Sequence, residues 1–476
     1  MIFAELKNFG TAIKAKYEWR GILMAQWAAV IMAAGKGTRM KSKLPKVMHS
    51  LAGKPMLQHV LDCVSSVQIP RSMVILGHGR EDIIPLLEGQ AEVVIQEEQL
   101  GTGHAIMQAI PHCHEVDHIV VLSGDQPLIK PDTLRQLMDL HMERQAVATI
   151  LTACFENPYG YGQSIKEGEK FLRIVEEKDA TPEERLVKEI NTGTYCFNVA
   201  KLREALKKIT PQNAQGEYYL TEVFTIFQVQ GEVISTYCTE DVHEALGINS
   251  RTQLAEAEQI IRQRLLQYWM DNGVTIMDPD TTYIDQEVEL ERDVVLYPFT
   301  ILKGKTKVCE DAIIGPHTTL TDCTVGVGSE VSHTVGNQAI IGNHCTVGPF
   351  AYLRPGAILE DKVKVGDFVE IKNSQIGEGS KVPHLSYIGD AQVGKAVNIG
   401  AGTITCNYDG VKKSRTIIRD KAFIGSNTNL VAPVEIGEEA VTGAGSTITK
   451  DVPAHALAVE RSTQKNLENW VRNKKK

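Results

Sequence analysis

Apolar and polar residues follow two different rhythms along the chain, and the rhythm changes near residue 273. Between about 25 and 250, short apolar runs alternate with stretches whose apolar residues recur at helical spacing. "WAAVIMAAG", "RSMVILGHG", "AEVVIQE", "HIVVLSGD" and "AVATILTACF" are nearly continuous in apolar residues, as strands buried on both faces must be. The stretches Met56 to Val67 and Pro131 to Arg144 predict helices between them. Strands alternating with helices imply a doubly wound, mostly parallel α/β sheet with ligands at the carboxyl ends of its strands. Residues 250–272 then predict one long amphipathic helix, with Leu254, Ile261, Leu265 and Tyr268 on its apolar face and Gly273 as its stop.

Beyond that helix a six-residue rhythm takes over. Val335, Ile341, Val347, Leu353, Leu359, Val365 and Ile371 are evenly spaced. After one-residue slips the series continues at Ile376, Val382 and Ile388, then Val393 and Ile399, and returns at Ile418, Ile424, Leu430, Ile436 and Ile448. A branched apolar residue every sixth position, usually followed by a small one, predicts a parallel β-helix of roughly ten three-hexad coils. The ladder should point inward, with glycine accepting turn dihedrals that other residues resist. Function is expected where the rhythm slips and at two inserts, "PHLSY" and "CNYDGVKKSRT".

At 476 residues, with 43% hydrophobic and 23% charged, the chain is a globular protein of two or three domains. Its net charge of −9 argues against general nucleic-acid binding, and no apolar run is long enough to span a membrane. Nine cysteines without a Cys-x-x-Cys pair predict reduced thiols in a cytoplasmic protein. Residues 1–24 lack the continuous apolar core of a secretory signal and read as an extension outside the folded unit, as an upstream start codon would add. The expected division is 25–249 for the α/β domain, 250–272 for the linker helix, 273–462 for the β-helix and 463–476 for a solvated tail.

"AAGKGTRMKSKLPKVMH", residues 33–49, follows the first strand directly. It is neither a Walker A loop nor a dinucleotide fingerprint, since no Gly-Lys-Ser/Thr follows and Met40 stands where a third glycine belongs. A glycine-rich turn carrying Arg39 and Lys46 remains, suited to the phosphates of a nucleotide. "QLGTGHA" offers a second glycine loop for a planar base. Asp125 closes a strand where ligands bind, as a Mg²⁺ ligand or as a helix N-cap near Pro131. Asn249 could be a second ligand or the cap of the linker helix, and spacing does not separate the two. In the β-helix, His384 reads as a catalytic base or as an ordinary exposed loop histidine.

"AAGKGTRM…LPK", "EQLGTGHA", "GYG", "VEEKDA", "EINTGTY", "NAQGEYYLT" and "GAGTITCNYDG" occur in the order found in a known family. The chain resembles, from about 27 to 462, the bacterial bifunctional UDP-N-acetylglucosamine pyrophosphorylases and glucosamine-1-phosphate N-acetyltransferases. The resemblance implies an α/β (Rossmann-like) nucleotidyltransferase domain followed by a left-handed β-helix. The first would transfer UMP from UTP to N-acetylglucosamine 1-phosphate. Ala33, Ala34, Gly35, Gln96, Gly101 and Thr102 would hold the uridine side, and Lys46 the phosphate. Gly124, Gly162, Glu176 and Asn191 would line the sugar pocket, and Asp125 and Asn249 would hold Mg²⁺. Arg39 is the candidate for stabilising charge at the α-phosphorus.

The β-helix, by the same resemblance, would acetylate glucosamine 1-phosphate from acetyl-CoA, with His384 as the base. Arg354 and Lys372 would clamp the sugar phosphate, while Tyr387 and Asn398 would hold the sugar. Ala401, Asn407, Tyr408, Ser426 and Ala444 match an acetyl-CoA groove, Lys413 and Arg461 suit coenzyme phosphates, and the Ala401 amide suits an oxyanion. A homotrimer is implied, with each acetyltransferase site between neighbouring β-helices. Ser123 and Gln163 depart from the family's usual Tyr and Arg. The rival expectation is a single-function sugar nucleotidyltransferase whose β-helix only mediates assembly.

Overall fold

The computed structural model describes residues 26–168 and 170–474. The expected extension over 1–24 and the last two lysines lie outside the described residues. The chain divides into two compact units between Ile261 and Arg262.

The first unit is built on strands β1 (Trp27–Ala33), β2 (Arg71–Leu76), β3 (Glu92–Ile95), β4 (His118–Ser123) and β5 (Ala148–Cys154). The hairpin β6 (Gln163–Glu167) and β7 (Lys170–Val175) follows, then β8 (Glu189–Asn198) and β9 (Ile234–Thr239). The sheet order is β9-β5-β8-β4-β1-β2-β3, parallel except for β8, and the hairpin hangs from β8. Helices α1 (Met56–Ser66), α2 (Arg80–Leu87), α3 (Thr102–Ala109), α4 (Pro131–Glu143), α5 (Val199–Leu206) and α6 (Glu222–Val229) cover it. Ala28 and Val30 of β1 join one apolar layer with α3, α5 and α6, and Ala29 and Ile31 join the other with α1 and α4. All five expected strands and both expected helices are present. The apolar rhythm did not reveal β6 to β9, because their exposed and polar positions break the pattern.

Helix α7 (Arg251–Asp271) is the expected long helix with a different buried stripe. Ala257, Ile261, Leu266 and Trp269 are buried, whereas Tyr268 is half exposed. Leu266 and Trp269 belong to the core of the first β-helix coils, and that packing rotates the stripe by one residue from the expected Leu265 and Tyr268. Ser250 Oγ accepts from the Gln253 amide at 3.2 Å, and Gln253 Oε1 accepts from the Asn249 amide at 2.8 Å. This reciprocal capping starts the helix.

The second unit winds short strands into three parallel sheets of 11, 10 and 9 strands, here the first, second and third faces of a left-handed β-helix. The ladder begins earlier than the sequence rhythm suggested, with Ile284, Leu290, Leu296, Leu302, Val308, Ile314 and Leu320 all buried. Every expected ladder residue is buried except Val335, which is 50% exposed. Gly336 fills its slot, pairing with Leu320 above and Leu353 below. A Cβ there would stand 2.7 Å from Leu320 Cδ2, so the coil is narrowed at this point.

Two further expectations change. Most left-handed corner positions carry side chains, among them Phe350, Phe368, Asn373, Leu385 and Asp390. The glycine after the branched residue instead allows coils to stack. A Cβ on Gly366 would lie 1.9 Å from the Pro383 carbonyl oxygen. "PHLSY" is also no insert. Pro383 and His384 end the strand Lys381–His384, which runs in register beside Lys364–Asp367. Val382 and Ile388 keep the six-residue step. "CNYDGVKKSRT" does leave the coil, which resumes at buried Thr416 and Ile418 in register with Ala391 and Val393.

Candidate active sites

The first constellation lies at the carboxyl ends of β1 and β4. After β1 the chain passes Gly37, whose left-handed backbone leaves no room for a side chain, a Cβ falling 2.7 Å from Lys46 Cβ. That approach brings Lys46 under the strand ends. Its ammonium pairs with the Asp125 carboxylate and donates to Asn249 Oδ1 at 2.9 Å. The Ile248 amide donates to the Asp125 carbonyl at 2.9 Å and ties the two segments together. Neither Asp125 nor Asn249 caps the neighbouring helix. Lys130 occupies the N-cap of α4, and Ser250 supplies the cap of α7. Two side-chain oxygens thus converge on one cation, a donor set that suits a hard divalent ion completed by phosphates and water. Among the described residues, no group of three His, Cys, Asp or Glu could hold a metal by itself.

The base side is rigidly built. Buried Gln96 donates to the Gly101 carbonyl at 3.2 Å and bonds His104 Nδ1 at 3.1 Å. Gly101 and Gly103 press against "EYYL", with Cβ positions 2.6 and 2.5 Å from Tyr218 O and Ile209 Cδ1. Thr102 Oγ1 accepts from the Leu220 amide at 3.1 Å. Ala33 and Ala34 are buried at the end of β1, while Gly35 is exposed with open space around it. A Cβ on Gly124 would stand 3.3 Å from Ala33 Cβ, so this glycine lets the two segments approach closely.

On the sugar side, the Asn191 amide donates to the Gly162 carbonyl at 2.8 Å. Asn191 Oδ1 accepts from the Gly193 amide, and its Nδ2 donates to Tyr195 Oη at 2.7 Å. Glu176 accepts from Thr221 Oγ1 at 3.0 Å, and burial raises its carboxyl above the usual range against that bond. Gln163 is buried beside Gly162 with its Oε1 unpartnered, and Ser123 Oγ lies 3.6 Å from where a Gly193 Cβ would stand. Arg39 is exposed and has no ion-pair partner among the described residues.

The second constellation occupies the corner between the first and second faces of the β-helix, and the second face beside it. Higher up that corner Phe299, His317, His333, Phe350 and Phe368 form a stacked ridge, with centroids 4.6 to 5.5 Å apart. The ridge ends at Leu385. Below it the same position is Gly402, Asn427 and Gly445. Ala401, Ser426 and Ala444 stand one coil apart in this opened corner, joined by Asn427 N to Ala401 O at 2.7 Å and Gly445 N to Ser426 O at 2.8 Å. The Arg461 guanidinium donates to Ala444 O at 3.1 Å. The amides of Ala401, Ser426 and Ala444 have no acceptor among the described residues, so this column presents donors outward.

His384 heads the column, its side chain 56% exposed, and its Nδ1 bonds the Asp367 carboxylate of the preceding coil. That bond holds the Asp367 carboxyl below its usual range. On the second face, Arg354 donates to Glu370 at 2.6 Å, and Tyr387 folds over Gly389, whose Cβ would meet its hydroxyl at 2.4 Å. At the far corner of that face, Asp390 gathers Asn373, Asn407 and, at 4.0 Å, Lys372. Burial would raise the Asp390 carboxyl, but those amides and the Lys372 and Lys413 charges hold it low. Tyr408 and Lys413 bridge the base of the loop that leaves the coil. Asn398 faces outward from the first face, without a side-chain bond to the other proposed sugar-site residues. Asp367 and Asp390 escaped the sequence reading. Their signal was a spacing of 17 residues, one coil, from His384 and Asn407.

Residues 29–217 match the family model for a MobA-like NTP transferase domain. Residues 338–373 and 415–450 match that for the bacterial transferase hexapeptide (six repeats). A bifunctional protein GlmU from Desulfitobacterium hafniense is 79% identical over 95% of this chain and all of its own length. A protein of the same description from Carboxydothermus hydrogenoformans is 51% identical over 93% of this chain and 99% of its own. One from Geobacillus thermodenitrificans is 50% identical over 95% of this chain and 100% of its own.

Proposed function

The chain belongs to the bifunctional GlmU family, and from that premise we propose how its two units divide the making of UDP-N-acetylglucosamine. The β-helix acetylates glucosamine 1-phosphate with acetyl-CoA. The α/β domain then transfers UMP from UTP to the product and releases pyrophosphate. The observation that carries this reading is that one chain carries both constellations, one in each unit.

In the uridylyl reaction the sugar phosphate is already anionic, so the protein's part is positioning and charge neutralisation. The Gln96–Gly101–Thr102 loop seats the base against Ala33, Ala34 and Gly35. Gly162, Glu176, Asn191 and Gly124 seat the sugar. Lys46 and Arg39 offset negative charge around the α-phosphorus. Asp125 and Asn249 would hold the divalent ion, Mg²⁺ on the chemistry of two oxygen ligands. When bound, the ion neutralises phosphate charge. Lys46 now bridges these same oxygens, which supports their role as a cation site.

In the acetyl reaction Arg354 and Lys372 hold the sugar phosphate, and Tyr387 and Asn398 the sugar. His384 Nε2 takes a proton from the amine as its nitrogen bonds the thioester carbonyl carbon. The Ala401 amide stabilises the resulting oxyanion. Collapse breaks the C–S bond, and the imidazolium returns the proton to the departing thiolate. Ser426, Ala444 and Arg461 lie along the coenzyme's path down the corner. Asn407, Tyr408 and Lys413 stand across the second face from that column. This division of one groove over two edges supports a homotrimer in which neighbouring β-helices complete each site.

An end-point assay with glucosamine 1-phosphate, acetyl-CoA, UTP and Mg²⁺ tests the reading. Free CoA, pyrophosphate and UDP-N-acetylglucosamine should all appear. Absence of free CoA would reduce the β-helix to an assembly module.

A further inference from the structure

We propose that Asp367 is a positioning residue for acetyl transfer, fixing the tautomer of His384 and stabilising the imidazolium formed when it accepts the amine proton. This rests on the reading of His384 as the base. The pairing is built by the fold. Strand Lys364–Asp367 lies beside Lys381–His384 in strict register, so Asp367 and His384 are direct lateral neighbours. The absence of a side chain on Gly366 lets Pro383 pack close enough to keep that register. The carboxylate binds Nδ1, and Nε2 is left as the nitrogen free to act.

The surroundings make this carboxylate the dominant charge on the imidazole. Asp367 is the ion-pair partner of His384 among the described residues. Lys381 on its own strand and Lys364 on the coil above are paired with each other in register three residues away, and both face outward from the first face. Glu370 and Tyr387 stand around the corner on the second face, where Glu370 is engaged by Arg354. The corner below, Ala401 and Gly402, brings no ionisable group.

The test compares wild type with Asp367→Asn, Asp367→Glu and His384→Ala, measuring kcat/KM for CoA release against pH and pyrophosphate release from UTP and N-acetylglucosamine 1-phosphate. A neutral base is required, so activity rises with pH. Removing the carboxylate makes the imidazolium less favourable. Asp367→Asn should lower the high-pH plateau about 10- to 100-fold and move the acid limb down by about half a unit. Asp367→Glu should restore part of the plateau and the limb. Pyrophosphate release and the melting temperature should not change. An Asp367→Asn enzyme with wild-type plateau and acid limb overturns the proposal, as does a lowered plateau with an unmoved limb. If His384→Ala keeps full acetyl transfer, the assignment of the base fails instead, so the two failures are distinguishable.

Discussion

Lys46 shows how much one side chain can be read from its neighbours in sequence. The glycine turn with its two cations and the strand-end position of Asp125 raised the expectation of an anion site beside a metal ligand, and the structure brings Lys46 and Asp125 together. The sequence left Asn249 open between cap and ligand, because the deciding residue is Ser250, whose hydroxyl takes the cap. Asp367 was invisible for another reason. Its partner lies 17 residues away, and only a known coil length turns that number into a contact. Replacing Lys46 with Met should reduce pyrophosphate release about 10²- to 10³-fold, the usual cost of removing one preorganised charge, and leave CoA release as in wild type. Equal loss of both activities would show that Lys46 matters for folding rather than for phosphate.

Strands and coils were legible wherever burial is two-sided or strictly periodic. The five expected strands of the first unit are nearly continuous in apolar residues, and the hexad ladder recurs because each coil must fill the same triangular interior. The rhythm failed at Val335, where the coil narrows around Gly336, and for β6 to β9, where exposed and polar positions break the pattern. Ile371 is fully buried in the ladder, so Ile371→Ala should cost about 2–5 kcal/mol in chemical denaturation of the β-helix. His141 gives the first unit a pH signature. Burial, reinforced by His118, pushes its pKa down to about 3, while its ring bonds Thr149 at 2.9 Å. The folded state therefore holds fewer protons than the unfolded one between pH 6.5 and about 3, and stability falls as pH falls through that window. His141→Gln should flatten the dependence of melting temperature on pH between 7 and 4, and an unchanged slope would assign the effect to other groups.

Two units with separate cores carry separate chemistries. The assembly is the point at which they cease to be equivalent. The α/β constellation is complete within one chain, whereas the residues expected to line the acetyl-CoA groove lie on two edges of one face. Sedimentation should therefore give the mass of three 52.5 kDa chains, and variants that dissociate the trimer should lose CoA release before pyrophosphate release. Among the described residues no helix is long and apolar enough to cross a membrane. All nine cysteines are free thiols. The most direct test of two sites in one chain is a pair of variants, His384→Ala and Asp125→Asn, each assayed for both half-reactions. The account predicts that His384→Ala abolishes CoA release and keeps pyrophosphate release from UTP and N-acetylglucosamine 1-phosphate, with the reverse for Asp125→Asn. A variant that loses both activities while still folded, or neither, would contradict it.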